Sequence, residues 1–498
     1  MTMLEMGFWS FPVLLLLIFL RAPIGLAMLG CGIGGLWLAL GDANVFMSKL
    51  KTDSYTTFSS YSLSIIPMFL LMGQFATLSG MSSALFRAAE SWLGHRKGGV
   101  AMASVGACAG FGAICGSSLA TAATMSRVAL PELRRYGYSG GFSTATLAAG
   151  GTLGILIPPS VILVIYAILT EQNIAKLFLA AFIPGLLAAL GYMITISIYV
   201  RLYPDAAGTR PPIPYSERFE ALARVWPVLL VFGLVVGGIY LGWFTPTEGA
   251  AVGAAGTGLI ALLKGNLTWS LFGQAIYATA MSTALIFFIV LGAALYNSFL
   301  ALTQVPQELA DWVLSLGLTP WAVLTVILIF YLVFGCLMDS LSMILLTIPI
   351  FFPVISAMDF GLVSLPAMQA EAALEVLAAG VPEGMGAEML ASIEAAIAGG
   401  IELTREQMAA LDIRVTQGMA NRIEAEYLAI WFGILVLIVV EVGLITPPVG
   451  MNLFIINAMD KDTPMASTYK SVMFFVGSDL VRVVILVLFP AITLFVLY

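Results

Sequence analysis

Two long apolar runs of this chain are each interrupted by adjacent prolines, in almost the same words: "GILIPPSV" from Gly154 to Val161 and "GLITPPVG" from Gly443 to Gly450. A proline inside a helix lacks the backbone N–H and clashes with the carbonyl of residue i−4, so each pair must break the helix that carries it. The surroundings make such a break costly. The 498 residues are 60% hydrophobic and only 10% charged, with a mean hydropathy of +1.01, far outside soluble composition. The chain therefore reads as a multi-pass integral membrane protein held in a lipid bilayer. In hydrocarbon every freed carbonyl is expensive until something satisfies it. At about 20 apolar residues per crossing, the apolar length allows roughly ten to twelve spans.

A second motif recurs with the first. "FGAICGS" (Phe111 to Ser117) and "FGCLMDS" (Phe334 to Ser340) lie inside apolar stretches at 98–130 and 320–358. Each stretch is too long for one span and polar at its midpoint, which predicts a helical hairpin entering and leaving on one side. From Phe111 to Pro158 is 47 residues, and from Phe334 to Pro447 is 113. The difference of 66 is close to the length of one polar stretch, 364–426. With that stretch removed, both halves present the same order at the same spacing: hairpin, loop, broken helix. The first hairpin's loop carries Arg134 and Arg135, whereas the second's carries the acidic stretch, so the hairpins should open to opposite faces. The reading is an all-α polytopic membrane protein of two inverted-topology repeats. Residues 1–225 hold hairpin 98–130 and broken helix 141–169, and residues 226–498 hold hairpin 320–358 and broken helix 427–457. Such repeats are the mark of secondary transporters whose sites lie near the bilayer midplane.

Orientation follows from the basic residues. Fifteen of the 21 Lys and Arg, among them Arg96, Lys97, Arg134, Arg135 and Arg482, fall to one side if "RRYGY" is cytoplasmic. Both termini then face out, and so does the 364–426 insert. Ten acidic residues and three arginines give that insert a net charge of −7, the whole of the chain's imbalance. Its Ala, Glu and Met content and the capping-box pattern at Thr404–Gln407 predict short solvated helices.

A bound monovalent cation would satisfy carbonyls freed at a break when a facing hairpin tip adds further oxygens. On this ground the first site draws on Gly116, Ser117 and Ser118 facing the carbonyls that Pro158 and Pro159 free near Gly154 and Ile155. The second comprises Asp339, Ser340, Thr446, Pro447 and Gly450. Mostly neutral oxygens suit Na⁺ better than a proton, which needs a titratable group. Asp339 could charge the second site, carry protons, or hold its tip by capping, since a carboxylate at membrane depth is usually functional. Glu441 is expected to support a hairpin or helix end, or to couple ions. Ser118, Ser160 and Asn452 mark the substrate region. Glu248, in "FTPTEG", is as well placed for helix capping as for function. Gly25 to Gly35 should allow close helix packing. The chain holds no phosphate-binding loop, no nucleophile triad and a single loop histidine, His95, so enzymatic chemistry is not expected. The four cysteines lack metal-ligand spacing, leaving Na⁺ as the one expected ion and no other cofactor.

Several stretches together resemble a known family: "PMFLLMG" (67–73), "GSSLATAATM" (116–125), "LPELRRYGYSGGFSTATLAAGGTLGILIPPS" (130–160), "FTPTEGAAVGA" (244–254), "DSLSMILLTIPIFFPV" (339–354) and "GLITPPVGMNLF" (443–454). They are similar to the DctM-type large membrane subunit of TRAP transporters. The resemblance implies a multi-pass inner-membrane uptake system in which the Na⁺ gradient drives an elevator-like movement of the hairpin-bearing domain. It implies three partners: a small four-helix membrane subunit (DctQ type), a periplasmic substrate-binding protein (DctP type) and an organic acid such as a C4-dicarboxylate, 2-oxo acid or sugar acid. No nucleic acid partner is expected. The small subunit is expected as a separate chain, and substrate would lie between the two hairpin tips. A binding-protein-independent carrier and a passive channel are the competing readings. The insert 364–426 departs from the usual pattern, as a docking surface or a solubilising loop.

Overall fold

A computed structural model describes residues 2–382 and 385–497; within them every regular element is helical. Five helices are long and apolar enough to cross a membrane: Tyr61–Leu78, Ile174–Leu202, Trp269–Thr303, Gln417–Gly443 and Met465–Leu488. Two bent pairs add up to two more, Gly140–Leu156 with Val161–Thr170 at 44° and Tyr215–Ala223 with Trp226–Tyr240 at 41°. Other apolar helices, including Gly99–Cys115, Pro320–Gly335 and Ser340–Ser356, have 17 residues or fewer. Among the described residues five to seven spans thus meet full crossing length, against the roughly ten to twelve that apolar length allows. A hairpin arm is as greasy as a span but shorter.

The centre of the molecule is built on the two broken helices. Gly140–Leu156 is buried from Gly141 to Leu156, and Gln417–Gly443 is buried without interruption from Leu428 to Gly443. A helix apolar on every side is stable only inside such packing. Ile174–Leu202 and Met465–Leu488 pack around them; Tyr166 donates its hydroxyl to Ala429 O at 2.5 Å, and Trp431 donates Nε1–H to Leu486 O at 3.0 Å. On another side, Ile24–Leu40 lies along Trp269–Thr303. Its glycines permit that approach: a Cβ on Gly32 would stand 2.7 Å from Tyr296 N and 2.8 Å from Leu295 C.

The acidic insert folds into three short helices, Leu365–Ala379, Ala387–Gly399 and Arg405–Ala410, around a small core of Ala373, Ile393, Leu403 and Leu411. Residues 383 and 384 of the insert lie outside the described residues. Gln369 ties this unit together by accepting from Leu403 N at 2.7 Å and donating to Val415 O at 3.4 Å. The Thr404–Gln407 capping box forms as the sequence indicates. The boundary at residue 426 does not coincide with a structural edge, because the helix that carries the second break starts at Gln417, within the acidic stretch.

Arg482 corrects the orientation argument. Instead of anchoring a loop, it is buried inside Met465–Leu488, with its Nη2 2.8 Å from Asp479 Oδ1 one turn earlier. Positive-residue counting treats any arginine near a helix end as interfacial, and the partner that permits burial is visible only as Asp479 at i−3.

Candidate functional site

Each polar-tipped stretch is a pair of helices joined by a short turn, Gly99–Cys115 with Ser118–Arg135 and Pro320–Gly335 with Ser340–Ser356. Each meets its own broken helix through a glycine-on-glycine contact. A Cβ on Gly112 would stand 2.5 Å from Gly154 Cα, and a Cβ on Gly443 would stand 2.5 Å from Gly335 C. These are the "FG" glycine and the glycine before "Pro-Pro" in both halves, so the repeated words set the same two glycines against each other, with the tighter approach on the hairpin side in the first half and on the broken-helix side in the second. Both Pro-Pro bonds, at 158–159 and 447–448, are cis.

The tips are helix starts. Ser117 caps Ser118–Arg135 by accepting from Ala120 N at 3.4 Å, and Asp339 caps Ser340–Ser356 by accepting from Ser342 N at 3.1 Å and from the Ser342 hydroxyl. By cap position Ser117 therefore corresponds to Asp339 and Ser118 to Ser340, one residue away from the letter-by-letter alignment. The turns explain the slip: two residues separate the arms of the first hairpin and four those of the second. Gly116 supplies the first turn's φ of +65°, where a side chain would be strained. Ser160 caps the helix after the first break, accepting from Leu163 N at 3.4 Å. Glu248 forms a capping box with Thr245, which settles its local role.

Around the first break, oxygen atoms converge on Gly154. A Cβ there would meet Ser117 O at 2.7 Å and crowd the Thr121 hydroxyl, while a Cβ on Gly116 would meet Pro159 O at 3.1 Å. Thr121 is fully buried, and among the described residues its hydroxyl has only the Cys115 thiol beside it. Thr121 lies inside the "GSSLATAATM" motif, though the expected site did not include it. The second break is arranged differently: Thr446 turns its hydroxyl back to Val442 O at 2.6 Å, and its carbonyl faces Gly450 at 3.3 Å from where a Cβ would be. Pro158 is buried, Pro447 is half-buried and Pro448 is exposed, with Tyr469 donating to Pro448 O at 2.7 Å. Asn452 is fully buried and reaches across to the first broken helix, with Nδ2 3.5 Å from Ala148 O and Oδ1 unpartnered among the described residues.

Both tips open on one cavity of about 230 Å³. Gly116, Ser117 and Ser118 line it from the first hairpin, Asp339 and Ser340 from the second, Val161 and Ile162 from the helix after the first break. Three helix amino ends thus border a single small space, each with a side-chain cap, and Asp339 adds a carboxylate to its wall. Ser282 completes the wall from Trp269–Thr303 and belongs to no recognisable motif. Glu441 lies behind this wall, fully buried, and accepts the Ser340 hydroxyl at 2.6 Å.

Residues 11–492 match the family described as "Tripartite ATP-independent periplasmic transporter, DctM component". This chain belongs to the DctM family. The C4-dicarboxylate TRAP transporter large permease DctM of Pseudomonas aeruginosa is 32% identical over 447 residues, 90% of this chain and 88% of that one. The sialic acid TRAP large permease SiaM of Vibrio cholerae is 30% identical over 346 residues, covering 68% and 79%. The ectoine TRAP large permease TeaC of Halomonas elongata is 33% identical over 303 residues, covering 59% and 69%. Among solved structures, the YdaH transporter of Alcanivorax borkumensis shares the fold at a TM-score of 0.52 and 13% identity, covering 90% and 89% of the two chains. This DctM-family chain is accordingly a multi-pass membrane subunit of a TRAP transporter, a permease and not an enzyme.

Proposed function

We propose that this permease imports a small organic acid across the inner membrane, driven by Na⁺, together with a separate small four-helix subunit and a periplasmic binding protein. The observation that carries the reading is the cavity between the tips, bordered by three helix amino ends and by Ser117, Ser118, Asp339 and Ser340. Its small volume suits a compact carboxylate. The first Na⁺ would be held by oxygens around Gly116, Ser117, Ser118, Gly154 and Pro158, with Thr121 added to that set. The second would use Asp339 and Ser340 with Thr446, Pro447 and Gly450. Ser160 and Asn452 border the substrate path. Two inverted repeats, divided near residue 225, would place hairpins on opposite faces and move as an elevator, with the acidic insert on the outer face.

Uptake into proteoliposomes, with small subunit and binding protein present, tests the reading. Substrate should accumulate under an inward Na⁺ gradient; accumulation indifferent to Na⁺ or to the binding protein would overturn it. Site assignment has its own test. Asp339→Asn keeps the helix cap, since Asn caps as well as Asp, yet removes the charge. It should raise the Na⁺ concentration for half-maximal uptake about tenfold, a change of roughly 1.4 kcal/mol. Ser117→Ala should do the same at a further cost of about 1 kcal/mol in helix capping. Unchanged Na⁺ dependence in both variants would reject the assignment.

A further inference from the structure

One buried carboxyl stands between the two hairpins. Glu441 lies two residues before Gly443, at the point where the second broken helix meets the second hairpin through the Gly335 contact. Ser340 donates its hydroxyl to Glu441 Oε1 at 2.6 Å, and Ser118 is the second hydroxyl beside the same carboxyl. By cap register these are equivalent residues, the first helical position after Ser117 and after Asp339. The carboxyl is fully buried, and Oε2 has no hydrogen bond that satisfies normal geometry among the described residues. Burying such a group with incomplete pairing is costly, and a carboxyl retained at membrane depth is there for function.

The first half does not duplicate it. Two residues before Gly154 stands Thr152, whose hydroxyl turns away from the tips to Ala149 O at 2.7 Å and to the Tyr192 hydroxyl at 2.9 Å. One carboxyl therefore stands beside a tip serine of each hairpin, bonded to Ser340 and adjacent to Ser118, behind the cavity wall that those two residues form.

We propose that Glu441 is a positioning residue that sets the two hairpin tips against each other, holding Ser340 and Ser118 from one carboxyl and so fixing the width of the cavity between them. The role requires only hydroxyl-to-oxygen hydrogen bonds, with no change of protonation. A glutamine can accept the Ser340 hydroxyl through its amide oxygen and offer its NH2 to the Ser118 hydroxyl oxygen, whereas an alanine can do neither. The bearing on transport rests on the reading of the cavity as the substrate site; the geometric claim does not.

Spin labels at Leu119 and Leu341, one on each tip, report the separation in the purified complex after the four cysteines are replaced. Wild type and Glu441→Gln should give one narrow distance distribution, and Glu441→Ala a distribution roughly twice as broad, since removing the carboxyl leaves Ser340 unpaired and Ser118 without its neighbouring acceptor. Ser340→Ala should broaden it as well, and Ser340→Ala with Glu441→Ala should be no broader than Glu441→Ala alone. A narrow distribution in Glu441→Ala overturns the proposal. If Glu441→Ala does not fold, the Ser340→Ala and Ser118→Ala distributions decide the same question. In uptake assays Glu441→Ala should raise the substrate KM more than it lowers the maximal rate, with Glu441→Gln closer to wild type on both. Equal loss in maximal rate and unchanged KM argues for a merely structural residue. A wild-type protein that transports without Na⁺ would sink the functional reading while leaving the distance result to judge Glu441.

Discussion

Gly443→Ala is expected to damage this permease far more than Gly335→Ala, although the two glycines face each other. A Cβ on Gly443 would meet only backbone, at 2.5 Å from Gly335 C, 2.7 Å from Gly335 Cα and 3.0 Å from Cys336 N. Backbone atoms of a packed helix cannot rotate aside, so the whole hairpin arm must move. From the other side the fit is tight but less severe: a Cβ on Gly335 would find Gly443 Cα and Val440 O at 3.3 Å, a contact that asks the backbone to give by only a few tenths of an ångström. Overpacking of this kind costs about 1–3 kcal/mol, and here it also displaces the helix end that carries Glu441. We therefore expect Gly443→Ala to lower the thermal midpoint of the purified complex and to lose most uptake, while Gly335→Ala lowers the midpoint by less and keeps more uptake. Gly34→Ala supplies the control, since nothing lies within 4 Å of its Cβ position; exchanging glycine for alanine there should be neutral or favourable by up to about 1 kcal/mol. Equal midpoints for Gly443→Ala and Gly335→Ala would show that the close contact is not limiting.

The same pair of glycines shows what could be read from the sequence. Proline and glycine positions are dictated by covalent geometry, so the breaks and the small tips are visible as words, and in both copies the structure sets a hairpin glycine against a broken-helix glycine. Register at the tips was not visible. Matching letters set Ser117 over Ser340, but caps are chosen by where a turn ends, and the two turns differ in length because tertiary packing sets them. The TPTE start at Thr245 was legible because a capping box is purely local. Ser282 and Thr121 were not, because each is a common residue on an ordinary helix face and gains meaning only from what lies opposite. Apolar composition, for a related reason, reports burial in lipid or protein alike, and the interior helices of this fold are buried in protein.

Asp479→Ala should be among the most destabilising single substitutions in the chain. Asp479 and Arg482 lie inside a membrane-length helix with side chains 2% and 7% exposed, paired at 2.8 Å. Removing the carboxylate leaves a buried guanidinium whose Nε and Nη1 already have no hydrogen-bond partner among the described residues. Breaking a buried pair from one side costs about 3–5 kcal/mol, whereas replacing both members with apolar residues is often close to neutral. Asp479→Leu with Arg482→Leu should therefore unfold at a higher temperature than either single substitution. The loss should also reach the first break. Tyr192 donates to Asp479 Oδ2 at 2.7 Å and meets Thr152 at 2.9 Å, and Thr152 is two residues from Gly154. Tyr192→Phe keeps the ring and removes both bonds, a change of about 0.5–1.5 kcal/mol in stability for each bond. If the chain from Arg482 to Thr152 orients Gly154, that mild substitution raises the Na⁺ concentration for half-maximal uptake while protein level holds. If Na⁺ dependence is unchanged in Tyr192→Phe and the double leucine variant is no more stable than Asp479→Ala, the pair neither orients the break nor carries the energetic weight assigned to it.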